Sequence, residues 1–300
     1  VYGAEFYRMG QKGILGRYPI HFHLMKSELS RNISAGYNAI HRSYQRCITI
    51  HDGQGISMIH NVAYNITGHC YFLEDGPEQI NIIDHNLGIR LNVGSLIPSD
   101  KDPAVFWITN PNNTFTNNAA CGGAFGYWFS LPMHPTGAAE ADYADDLWVW
   151  PRYTPLGTFS NNIAHSHSRS GLMVDEMMEP DGSTPLAAYT PRQGHYNYSL
   201  PYSYQYPDVV AVFTNFIGYK CREHGVWTRG GPIVVQDIIL LDNTNAITCV
   251  PGPSLVQNAL IVGETANVGT DFTYWLPSIG RSRPVYWTNN YPVTGWSTYD

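Results

Sequence analysis

The stretch FTNNAACGGAFGYWF, residues 115–129, starts with an apolar residue, one further residue and an asparagine. It then passes through a short glycine-bearing link and closes on a second apolar strand. The same order recurs in IHNVAYNITGHCYFL (59–73), FSNNIAHSHSRSGLMV (159–174) and FTNFIGYKCREHGVW (213–227), and more weakly in VQNALIVGETANVG (256–269). The marker asparagines are 61, 117, 161, 215 and 258, separated by 56, 44, 54 and 43 residues. A coil of three short strands with tight turns needs roughly 20–25 residues. The gaps of 44 and 43 therefore read as two coils, and those of 54 and 56 as two coils plus an inserted loop.

A short unit that cannot bury its own apolar face is stable when stacked on copies of itself. The strands are rich in β-branched and aromatic residues, with Gly and Asn at their ends, so the stack is all-β. Recurrent asparagine at one corner fits a ladder of side-chain amides. The expected fold is a parallel β-helix, or β-solenoid, spanning residues 1–300 as one domain, with Asn117, Asn161, Asn215 and Asn258 in one column. A β-sandwich and a β-propeller are the alternatives; irregular spacing and unequal loops weigh against the propeller.

Loops rich in Pro, Gly, Tyr and Asp stand out at 95–104, 130–146 and 177–208. Insertions on a solenoid collect on one face, so 130–146 and 177–208 are expected on one side, flanking a groove. Their aromatic rings suit packing against sugar C–H groups.

Composition agrees with an extracellular β-rich protein. Only 14% of the 300 residues are charged, against about 25% in an average domain, while Tyr, Trp and Gly are plentiful. The formal net charge of −7 argues against a nucleic-acid partner. The five cysteines, 47, 70, 121, 221 and 249, show no CxxC spacing, so a zinc ribbon is not indicated. Two disulfides with one free thiol, or several reduced core cysteines, both fit. Asn32, Asn65, Asn112 and Asn197 sit in glycosylation sequons. No apolar run is long enough to span a bilayer. The opening VYGAEFYRMG reads as a mid-domain strand, so the chain is expected to be a piece of a longer one, with any membrane anchor outside it.

Chemistry-bearing residues crowd the first ninety positions. In GRYPIHFH (16–23), His21 and His23 are two apart and face the same way on a strand. The densest stretch is GHCYFLEDGPEQINIIDHN (68–86), with His69, Glu74, Asp75, Glu78, Asp84 and His85. If RCITIHD (46–52) and HCYFLED (69–75) stack in register at Cys47 and Cys70, His51 lies over Glu74 and Asp52 over Asp75, with His23 in the same column. Histidine and carboxylate on neighbouring coils form either a metal site or an acid–base pair. The expected metal ligands are His21, His23, His51 and His69. The expected catalytic carboxylates are Asp52, Glu74, Asp75 and Asp84. Arg17 can bind a uronate carboxylate in a fork, with Arg46, Trp128 and Arg229 as further substrate-binding candidates. HSHSRSG (165–171) alternates like a strand with one polar face and ranks second. Isolated histidines such as His60 and His195 read as ordinary surface residues.

At this point the motifs carry a resemblance. GRYPIHFH, RCITIHDGQG, GHCYFLEDGPE, HNLG, LIPSDKD, FWITNPNN, PLGTFSNNIAHSHSRSGLMVD, HGVWTRGG and GETANVGT are similar, in order, to the β-helix region of the cell-surface hyaluronidase family, related to the fibrocystin-like G8-domain proteins. The similarity runs from Val1 to about Gly269. It implies a right-handed parallel β-helix that follows a G8 domain in longer proteins, secreted or held by one membrane helix. It also implies a glycosaminoglycan such as hyaluronan as substrate or ligand, endo-cleavage of a β-N-acetylglucosaminide bond, and a divalent metal, calcium. The chain departs from the family after HFHLMKSELSRN, which is followed by a shorter segment, and between PSDKD and FWITNPNN, where an insert is nearly absent.

Two functions follow as expectations. One is an endo-acting glycosidase, whose acid and second carboxylate come from different coils, Glu74 with Asp52 or Asp84. A β-eliminating lyase, with Arg17 or a cation on the uronate and His21 or His23 as base, is its variant. The other is a non-catalytic glycan-binding or structural β-helix.

Overall fold

The computed structural model describes residues 1–26, 33–143, 149–177, 181–193, 206–263, 265–267 and 294–298. Two parallel sheets run its length. The second is the simpler: Ile20–His23, Ile48–His51, Tyr71–Leu73, Ala104–Ile108, Phe125–Phe129, Leu172–Val174, His224–Arg229, Asn245–Val250 and Thr294–Thr298 follow one another as neighbours. In the first sheet most early coils contribute two short strands, such as Ser57–Ile59 with Val62–Thr67. Later coils fuse them into one, as in Thr158–His165 and Ala211–Tyr219. Three strand segments per coil, all paired in parallel, make a parallel β-helix, with the right hand that β-crossovers take.

One left-handed residue per coil bends the first sheet. Tyr37, His60, His85, Asn117, Asn161, Asn215, Asp237 and Asn258 hold this place, all with φ between 51° and 58°. Asparagine and aspartate tolerate this conformation best among residues with a Cβ, which is why Asn recurs here. The four asparagines expected in one column do share it. Asn61 does not. It lies one residue on, in an inward column of Asn38, Asn61, Asn86, Asn118 and Asn162. Each Nδ2 in that column donates to the next Oδ1 at 2.9–3.2 Å.

Coil lengths correct the repeat arithmetic. Registers in the second sheet advance by 28, 23, 35, 21, 45, 54, 21 and 49 residues. The gaps of 44 and 54 are therefore single coils carrying insertions, whereas the gap of 43 is two plain coils. An insertion leaves rung geometry untouched, so its length cannot be separated from a coil's by counting.

Both long insertions leave from the C-terminal ends of second-sheet strands, Phe125–Phe129 and Leu172–Val174. Their described parts bond each other, Thr190 N–H to Arg152 O at 3.1 Å and Arg192 N–H to Tyr153 O at 2.9 Å. They share a side, as expected. The 95–104 loop instead precedes a second-sheet strand. The interior is filled by stacked columns: the rings of Tyr71, Phe106 and Tyr127 lie parallel at 4.7–4.8 Å. One disulfide, Cys47–Cys70, ties neighbouring coils, while Cys121, Cys221 and Cys249 are free thiols. Among the described residues no helix is long and apolar enough to cross a membrane.

Candidate functional site

The first three strands of the second sheet build the site. His23 pairs with His51, and Ile50 with Leu73, so the Cys47-over-Cys70 register holds. Alternation along each strand sends Ile20, Ile48, Ile50, Tyr71 and Leu73 inward and His21, His23 and His51 outward. Glu74, one residue past its strand, continues the His23–His51 column.

The outward groups converge. His23 Nδ1 and His51 Nδ1 are 3.0 Å apart. His51 Nε2 lies 2.9 Å from Asp75 Oδ2, a contact off the ideal hydrogen-bond direction. His21 Nδ1 is 3.0 Å from the Gly16 carbonyl; a carbonyl only accepts, so this nitrogen carries the proton and Nε2 is the free acceptor. That Nε2 is buried without a hydrogen-bond partner and stands 3.9 Å from Glu74 Oε2. Glu74 Oε2 is 3.8 Å from His51 Nδ1 and is itself unpartnered, although the side chain is only 10% exposed. Its other oxygen accepts from Tyr18 Oη at 3.3 Å.

Burial sets the charges. It raises the Glu74 carboxyl to about 7 and lowers His21 to about 4. Burial also pulls His51 down, but Asp75, Glu74 and Glu78 around it more than reverse this, to about 8. The result is a wall of carboxyl groups behind a histidine cluster, with the exposed His23 on the solvent side.

The inserted loop closes the back of the site. Ala139 N–H donates to Asp75 Oδ2 at 3.2 Å, and Tyr143 Oη donates to Asp52 Oδ1 at 2.7 Å. Glu78 accepts N–H groups of Asp52, Asp75 and Gly76. Asp52 and Asp75 thus hold the corner and His51, and Glu74 alone of the four expected carboxylates faces the histidines with a free oxygen. Tyr18, Glu78 and Tyr143 were not picked out as site residues by sequence reasoning. Only Glu78 left a signal there, three residues after Asp75 in the EDGPE turn.

Several expected site residues lie elsewhere. His69 is fully buried: Nδ1 accepts from Ala104 N–H at 2.9 Å and Nε2 meets Ser99 Oγ at 2.8 Å. Both nitrogens are taken, so it is no metal ligand. Asp84 lies on the first sheet and accepts from Thr116 and Asn117 while contacting His85. Arg46 is buried against Asp100. Trp128 is fully buried, its indole N–H donating to the carbonyls of Asp175 and Glu176. Arg229 is held by Asp175 at 2.7 Å. Arg46 and Trp128 are thus enclosed, and Arg229 is half-buried with its guanidinium occupied. Arg17 is exposed on the turn that holds His21. In HSHSRSG, His167 is buried and bonded to Ala120 O, and Arg169 pairs with Glu223. Asn65 and Asn112 are half-buried, with side-chain amides bonded to Asn92 and Gln79. Asn32, Asn197 and His195 fall outside the described residues.

Among the described residues two groups could hold a metal ion: His21, His23 and His51, and His60, Asp84 and His85. Calcium takes six to eight oxygens at about 2.3–2.6 Å, whereas the first group offers three imidazole nitrogens, with the one free oxygen of Glu74 beside it. That donor set does not fit calcium.

Residues 1–172 match the family model described as CEMIP beta-helix. The chain is 33% identical over 354 residues to the human cell migration-inducing and hyaluronan-binding protein, covering 99% of this chain and 25% of that protein. It is 31% identical to the human cell surface hyaluronidase CEMIP2, again over 99% of this chain and 25% of the other. Mouse fibrocystin-L is 33% identical over 90% of this chain and 6% of its own length. The chain thus spans a quarter or less of the length of each of these three relatives.

Proposed function

The chain belongs to the CEMIP β-helix family, and from that premise we propose that it cleaves a glycosaminoglycan of the hyaluronan type, acting within the chain as a hydrolase at the His21–His23–His51–Glu74 cluster. Relatives named for hyaluronan binding and for hyaluronidase activity support the glycan class. The extracellular or cell-surface location of the family agrees with the Cys47–Cys70 disulfide, a bond that persists in oxidising compartments.

The observation that carries the reading is the Glu74 carboxyl, buried, held through one oxygen by Tyr18, and presenting the other without a partner beside the open histidine cluster. A glycosidic oxygen needs a proton as its bond breaks, and Glu74 is the group placed to give it. Asp75 and Gly16 orient His51 and His21. Arg17, exposed on the adjoining turn, is placed to take a uronate carboxylate. Asp84 has no part, because it is bonded on the other sheet.

The test is size-defined hyaluronan incubated with the purified chain and with Glu74→Gln. Shortening by the wild type and a fall of about 10²–10⁴-fold in the variant are expected, with circular dichroism unchanged. New ends that absorb in the ultraviolet would mean elimination in place of hydrolysis. Retention of hyaluronan without any shortening would replace cleavage by binding.

A further inference from the structure

We infer that His21, His23 and His51 form a site for a nitrogen-preferring divalent transition-metal ion of the zinc class, not for calcium. The ligand atoms are Nε2 of His21 and Nδ1 of His23 and His51, and the fourth position, on the side of Glu74, is open. One ligand atom from each of the three rings comes within 4.8 Å of the others. Two ligands each about 2.0–2.1 Å from a tetrahedral ion lie roughly 3.3 Å apart. The two Nδ1 atoms are already near this spacing, at 3.0 Å.

Three independent features point the same way. The Nδ1 atoms of His23 and His51 face each other, with room for one proton at most between them; a cation satisfies both lone pairs. His21 Nε2 and Glu74 Oε2 are buried and unpartnered, and they are aimed into the same space. The far nitrogens already have the outer partners that metal-bound histidines take, a backbone carbonyl for His21 and a carboxylate for His51. Those partners fix each ring so that the remaining lone pair points at the ion. Three imidazole nitrogens with an open fourth position are the donor chemistry of zinc-class ions, while calcium selects oxygen. The other candidate group is weaker. Asp84 is already occupied by Thr116, Asn117 and His85, and the rings of His60 and His85 stack on each other at 4.6 Å.

The ion binds here whether or not a glycan is cleaved, so its test needs no activity. The full chain is stripped with chelator and titrated by calorimetry with zinc alone, with calcium alone, and with zinc in excess calcium. Cobalt(II) is added separately for its visible spectrum. One zinc per chain, no displacement by calcium and a tetrahedral cobalt spectrum are expected. His23→Ala, at an exposed position, abolishes the cobalt spectrum with the circular dichroism unchanged. Asp75→Asn weakens zinc roughly 10–100-fold, and His60→Ala leaves it as it was. Absence of stoichiometric zinc binding, displacement by calcium, or loss that follows His60 in place of His23 would overturn the site.

Discussion

Arg46 is fully buried, its guanidinium 4.1 Å above the Phe72 ring, and it forms an ion pair with Asp100 from the 95–104 loop. Its Nε and Nη2 have no hydrogen-bond partner, so Asp100 is what keeps the charge tolerable. Asp100 also accepts N–H groups of Leu96 and Ile97, at 3.1 and 3.3 Å. Removing one member of a buried pair costs about 3–5 kcal/mol, because the other charge stays buried and unpaired. Asp100→Ala is therefore expected to lower the stability measured by urea unfolding by that amount. Arg46→Met is expected to cost clearly less, since it removes the buried cation and leaves Asp100 its three backbone donors, the N–H groups of His69, Leu96 and Ile97. Equal losses for the two variants would mean that the pair is held by packing and not by charge.

At the scale of the element, the asparagine ladder shows how a coil is locked to the next. Asn86 receives the Asn61 N–H at 3.0 Å and the Asn61 Nδ2 at 2.9 Å on its Oδ1. Its own Nδ2 reaches Met58 O at 2.8 Å and Asn118 Oδ1 at 3.1 Å. Every buried polar atom of the side chain is satisfied, and so is a backbone N–H that the bend takes out of the sheet. Asn86→Leu keeps the volume and orphans these groups, at about 1–3 kcal/mol for each buried group left unpaired. The same change at Asn38, the first rung, orphans fewer and is expected to cost less. Thermal unfolding of the two variants side by side checks the order. Past Asn162 the column passes to Phe216, opposite it in register, and hydrophobic packing takes over the role.

For the whole molecule, burial of histidine in the neutral form makes acid the main threat to stability. His69 and His167 are lowered by burial to about 3 and His224 to about 4. Their rings serve as fixed neutral bridges, His167 taking the Gly123 N–H and contacting Ala120 O. The unfolded chain protonates each near pH 6.5, while the folded chain does not until well below. Stability is thus fully present above about pH 6.5 and falls as the pH drops toward the folded values, at up to about 1.4 kcal/mol per pH unit for each histidine. The urea midpoint is expected to fall between pH 6.5 and 4.5. His167→Asn should be less stable at pH 7 but show a shallower fall, and an unchanged slope would assign the acid sensitivity to other groups.

What the sequence determined by itself was everything that depends on local period. Apolar alternation and recurrent Asn gave the stacked coils, and aligning RCITIHD with HCYFLED at Cys47 and Cys70 suggested the register that sets His23, His51 and Glu74 in one column. A strand's side-chain direction is fixed two residues at a time, so a register once known places the whole face. What only the tertiary structure decided was what the insertions cover. They hid the number of coils, buried Arg46, Trp128 and His69, tied Arg229 to Asp175, and turned Asp52 and Asp75 from free carboxylates into corner supports. Those outcomes depend on contacts between residues far apart in the chain: Asp75 with Ala139, separated by 64 positions, and Asp52 with Tyr143, separated by 91. Which histidine nitrogen faces the site was likewise set by groups from outside its own strand, the Gly16 carbonyl and the Asp75 carboxylate, because a ring's direction is fixed by the partner of its other nitrogen.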